Sequence, residues 1–99
     1  MRKITVVTHE VDEESATSAR RYRAPALEKG LDILELLARE SSPMPISAIG
    51  QRLGRSTNEL FRMMQVLQYR GYIRQEAGGG YGLTDQLFSL GMEQPRTRT

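Results

Sequence analysis

Residues 46–65, "ISAIGQRLGRSTNELFRMMQ", hold two glycines four positions apart, Gly50 and Gly54, among apolar residues at helical spacing. Few folds accommodate that pattern. Two helices that cross steeply over a tight turn need a small residue where they touch, and Gly50 supplies it. The turn itself favours glycine, and Gly54 stands there. Ile49, Leu53, Leu60 and Met63 occupy the positions where the helices meet. Each match alone is weak, since glycine and leucine are common. Together they predict a helix–turn–helix, "ISAIGQRL" followed by a longer helix over about 57–70 that Gly71 ends, with Ser47 as the expected N-cap of the first.

The flanking segments complete a small domain over residues 24–91. Upstream, "APALEKGLDILELLARE" places Leu27, Leu31, Leu34, Leu37 and Ala38 on one helical stripe, with Pro25 in the first turn. Ile33 and Leu36 fall outside that stripe; they are expected under a loop, the commoner outcome, or against a second copy. "SSPMP" ends this helix, because each proline disfavours the helical region for the residue before it. Downstream, "YIRQ", "EAGGG" and "YGLT" read as a β-hairpin over about 72–84, and Thr84 can cap a last short helix, "DQLFSLG". The fold class is mainly α with a small β-hairpin wing, a winged helix–turn–helix.

Residues 1–23 contain "HEVDEESATSA" and end in "RRYR"; poor in large apolar groups, they are expected to be a disordered tail. Residues 92–99 are expected to begin a linker. The hydrophobic content of 38% is concentrated between Leu27 and Leu90, enough for one small core. No run approaches the ~18 apolar residues of a membrane span, and the N-terminus has no apolar secretory core. Cysteine is absent, which excludes disulfides and thiolate metal sites. A cytoplasmic protein without membrane contact is expected. The only histidine, His9, lies in the tail, and Glu28, Asp32 and Glu35 read as a solvated acidic helix face. No catalytic constellation emerges, and no cofactor is expected.

Charge is distributed unevenly. Residues 50–75 carry Arg52, Arg55, Arg62, Arg70 and Arg74 against Glu59, a balance of +4, whereas residues 24–49 carry −2. Such asymmetry can orient a protein on a polyanion; a solvated charged surface is the bland alternative. On the helix from Thr57, Leu60, Met63, Met64 and Leu67 share an arc about 100° wide and should be buried. Asn58, Arg62, Gln65 and Tyr69 lie opposite, with Phe61 on the shoulder. In a helix–turn–helix the start of the second helix enters the major groove, so Asn58, Phe61, Arg62 and Gln65 can reach base edges. Tyr69, about three turns on, should miss. Ser56 and Thr57 offer hydroxyls and amides to phosphate.

The competing readings are specific. Phe61 could cover a neighbouring helix, and Arg62 could pair with Glu59. In the hairpin, Gly78, Gly79 and Gly80 allow close approach to a sugar–phosphate backbone and Arg74 adds charge at the base; a turn touching nothing is the alternative. A nucleotide-binding loop is disfavoured, because no Lys-Ser/Thr pair follows the glycines. The candidate DNA contacts are Ser47, Arg55, Ser56, Thr57, Asn58, Phe61, Arg62, Gln65, Arg74 and Gly79. A winged helix used for protein interaction is the runner-up function.

"LEKGLDILELLA", "ISAIGQRLG", "FRMMQVLQYRGYI" and "YGLTDQLFSLG" resemble, in order and spacing, the DNA-binding domain of IclR-family transcriptional regulators from about Ala24 to Gly91. The resemblance implies a winged helix–turn–helix that regulates transcription on double-stranded DNA, as a homodimer or higher oligomer reading a palindromic operator. It also implies a helical linker after Gly91 and a separate effector-binding domain, so small-molecule sensing falls on no residue here. Many relatives carry Ser-Thr where this chain has Asn58 and Glu59, so operator preference does not transfer.

Overall fold

Pro25 opens the first helix, where its missing N–H leaves no bond unmade. Ala24 offers no capping side chain; its N–H donates to the Glu28 carboxylate at 3.4 Å instead, while Arg23 holds that carboxylate at 2.6 and 2.8 Å. The computed structural model describes residues 22–95. In chain order these form α1 (Pro25–Arg39), α2 (Ile46–Leu53), α3 (Thr57–Tyr69), β1 (Ile73–Gln75), β2 (Tyr81–Leu83) and α4 (Gln86–Met92). The expected tail lies outside the described residues apart from Tyr22 and Arg23, and so does His9.

The buried face of α1 differs from the expected stripe. Ile33, Leu36 and Leu37 are buried, whereas Leu27 and Leu31 are 63% and 46% exposed and Ala38 is exposed. The inward arc is turned by roughly 100°. The reason is tertiary: α1 packs against α2, α3 and β2 together, and these partners enclose the arc of Ile33, Leu36 and Leu37. Ile33 and Leu36 thus belong to the domain's own core, and neither a covering loop nor a second copy is needed to bury them.

Pro45, not Ser47, precedes the first turn of α2; its carbonyl accepts from the amides of Ala48 and Ile49 at 3.0 and 3.1 Å. Proline's fixed φ sets the extended entry backbone, leaving Ser47 one residue inside the helix and exposed. At the other end Gly54 adopts a left-handed conformation, φ 68°. The Arg55 amide then reaches the Gly50 carbonyl at 2.9 Å, closing a Schellman turn. A Cβ on Gly50 would lie 2.6 Å from the Arg55 carbonyl oxygen, so the turn can be this tight only over a glycine.

Ser56 starts α3 with a full capping box. Its hydroxyl accepts from the Glu59 amide at 3.2 Å and its own amide donates to Glu59 Oε1 at 2.9 Å. Leu60 and Met64 are buried and Met63 and Leu67 half-buried, as the arc predicts. The helix ends at Tyr69 with a second Schellman turn, Tyr72 to Leu67 at 2.9 Å, through Gly71.

The hairpin pairs Ile73 with Leu83, Arg74 with Gly82 and Gln75 with Tyr81, antiparallel. Tyr81 also bridges to Met44 through two backbone hydrogen bonds of 2.7 and 3.0 Å. The loop between α1 and α2 thereby adds a one-residue third strand. Thr84 donates to the Gly71 carbonyl at 2.5 Å and accepts from the Gln86 amide at 3.1 Å, tying the start of α4 to the end of α3. The core comprises Ile33, Leu36, Leu37, Met44, Ile49, Leu60, Met64 and Ile73, with no buried polar side chain among the described residues.

Candidate nucleic-acid interface

α3 is held by its inner face. Leu60 and Met64 anchor it against α1, α2 and β1, which leaves the opposite face of its first half to solvent. Asn58, Phe61, Arg62 and Gln65 are all exposed there, Phe61 by 54%. Phe61 therefore covers no neighbouring helix to any large extent. Arg62 forms no ion pair with a described residue, and the alternative pair with Glu59 is absent.

Glu59 has other partners. Its Oε2 lies 3.7 Å from Lys29 Nζ on α1 and 3.8 Å from the Arg55 guanidinium. The Ser56 amide, and then Lys29 and Arg55, hold its carboxyl below the usual carboxylate range. Lys29 was invisible to spacing rules, because it is thirty residues away in sequence and reaches Glu59 only through the packing of α1 on α3.

The arrangement sorts the basic residues. Arg52 pairs with Glu40 at 3.0 Å, and Arg74 donates to Glu76 at 2.8 Å and to the Leu83 carbonyl at 3.1 Å. Arg55 is shared with Glu59. Glu40 and Glu76, from outside residues 50–75, thus match two of the four net positive charges, while Arg62 and Arg70 stay unpaired among the described residues. The Ser56 hydroxyl oxygen and amide are engaged in the capping box, whereas Thr57 and Asn58 begin the helix exposed. Ser47 is exposed on α2. Gly79 sits at the hairpin turn with φ 95°, its carbonyl accepting from the Gln75 side chain at 3.3 Å. Gly80 faces inward, for a Cβ there would lie 2.8 Å from the Pro43 ring.

What the arrangement offers chemically is a hydrogen-bonding helix face carrying the unpaired Arg62 and packed from behind through Leu60 and Met64. No helix among the described residues is long and apolar enough to cross a membrane.

Known proteins share this architecture. The crystal structure of Thermotoga maritima IclR aligns with a TM-score of 0.66 at 21% identity, over 73% of this chain and 29% of that one. The crystal structure of Pseudomonas aeruginosa HmgR aligns with a TM-score of 0.63 at 25% identity, over 71% of this chain and 29% of that one. The chain thus corresponds to less than a third of either protein. Among curated proteins no sequence matches it. The sequence model of the IclR helix-turn-helix domain matches residues 26–77, from the first turn of α1 to the hairpin loop. With just over half of its residues inside that match, and with the same fold as two regulators of that type, the chain belongs to the IclR helix-turn-helix family, the DNA-binding domains of transcription regulators.

Proposed function

We propose that α3 enters the major groove of double-stranded DNA and reads base edges with Asn58, Phe61, Arg62 and Gln65. Arginine pairs with guanine, asparagine and glutamine pair with adenine, and an aromatic ring can touch a thymine methyl. Ser47, Arg55, Ser56 and Thr57 stand on the phosphate side, with Ser56 acting through the helix start it caps. The hairpin lies near the backbone, Arg74 and Gly79 nearest to it. The observation that carries this reading is the outward face of α3, where an unpaired Arg62 stands beside three side chains able to contact bases.

Arg62→Ala should weaken operator binding by about 1–3 kcal/mol without changing the fold. A folded variant that binds the selected operator unchanged in an equilibrium titration sinks the assignment of Arg62. In the longer regulator two copies would read a palindromic site, with effector sensing in a separate domain. Sedimentation with and without a palindromic duplex tests the pairing. Protein interaction is the second reading, and it is favoured by α4, which buries no residue and exposes Phe88 and Leu90. Absence of duplex binding even at low salt would favour it.

A further inference from the structure

Glu59 stands at the edge of the proposed reading face, next to Asn58 and three residues before Arg62. A carboxylate beside DNA phosphates is repelled, so its placement there needs a reason. One candidate role, accepting from a cytosine amino group, fits poorly with its engagements. Oε1 accepts from the Ser56 amide at 2.9 Å, and Oε2 faces Lys29 at 3.7 Å and Arg55 at 3.8 Å. Lys29 is the more enclosed of the two cations, so Arg55 is the one that can leave for a phosphate.

We propose that Glu59 restrains sequence-independent binding: fixed in the capping box, it retains the Arg55 guanidinium against any passing phosphate and so lowers the affinity for DNA of arbitrary sequence. This rests on the DNA-binding reading above. Phosphate contacts supply nearly all of the affinity for arbitrary sequence, whereas base contacts supply discrimination. A carboxylate that competes with phosphate for Arg55 taxes every duplex equally. The loss cancels in the ratio of operator to arbitrary affinity, which is left to the base contacts of Asn58, Arg62 and Gln65. What it lowers is absolute affinity, and an arbitrary sequence has no base contacts to sustain binding.

The test uses the whole chain and its Glu59→Gln, Arg55→Gln and doubly substituted forms, titrated against a fluorescent duplex of scrambled sequence over a range of salt. Glutamine retains the capping box, so helix content by circular dichroism should not change. Glu59→Gln should bind more tightly than the parent. Its plot of log affinity against log salt should steepen by about 0.9, the equivalent of one additional phosphate. In the Arg55→Gln background the same substitution should gain nothing. Equal affinity and slope for parent and Glu59→Gln overturn the proposal and leave DNA binding standing. So does a gain that persists undiminished without Arg55, which would mark a general field effect. If neither parent nor Glu59→Gln binds the duplex at the lowest salt, the DNA-binding reading fails and this inference with it.

Discussion

Gly50 and Gly30 are both helical glycines, yet they face opposite surroundings. A Cβ on Gly50 collides with the Arg55 carbonyl at 2.6 Å, whereas one on Gly30 meets nothing within 4 Å. Gly50→Ala should therefore destabilise by about 1–3 kcal/mol through overpacking. Gly30→Ala should stabilise by about 0.5–1 kcal/mol through helix propensity alone. Urea unfolding of the two variants checks both signs. Acid sensitivity also belongs to single residues. Glu59 and Glu28 have folded-state pKa values below their ordinary 4.5, held down mainly by the Ser56 amide and by Arg23 respectively. The stability they contribute is complete above that value and is lost as pH falls through the lowered one. Thermal unfolding followed downward from neutral pH should show this loss, and Glu59→Gln should lack its share. Gly50 and Gly54 were legible in the sequence because a tight turn imposes its chemistry at fixed offsets. Lys29 beside Glu59 was not, since their meeting depends on how two helices pack.

At the scale of elements, α3 and α1 show what periodicity can and cannot decide. The inner arc of α3 follows directly from spacing, because Leu60, Met63, Met64 and Leu67 form one continuous stripe, although Phe61 and Val66 lie outside it and are exposed. α1 carries apolar residues around much of its circumference, so spacing alone admits two neighbouring arcs. The leucine-rich one is the more obvious, but α2, α3 and β2 close over the other. Leu36→Ala should consequently cost about 2–5 kcal/mol, the range for a buried leucine. Leu27→Ala, at an exposed position, should stay within about 0.5 kcal/mol. Were the two losses equal in chemical denaturation, the phase of α1 would be wrong. The N-cap of α2 fell to Pro45 for a similar reason. A serine near a helix start is a good capping candidate, but the proline carbonyl was already in position to accept the first bonds.

Across the whole molecule, the asymmetry of charge survives folding in a thinner form than composition suggests. Carboxylates from the α1–α2 loop, α3 and the hairpin claim Arg52, Arg55 and Arg74, so the freest cation on the α3 face is Arg62. The salt dependence of duplex binding should accordingly be shallower than five arginines would give, and a titration across ionic strength measures it. Pairings between distant residues set this distribution, which is why the basic region was legible in the sequence and its neutralisation was not. The bridge between Met44 and Tyr81 carries a further consequence, for the tolerance of the chain to changes in length. The hairpin turn is exposed at Ala77 and Gly78 and closes on itself through Glu76 and Gly79, so residues inserted there leave the paired strands intact. Ser41–Met44 resembles a plain spacer, yet its last residue is buried and held in strand register on Tyr81. Adding or deleting one residue before Met44 would turn its side chain out of the core and shift the start of α2, so this short loop is the one whose length is fixed.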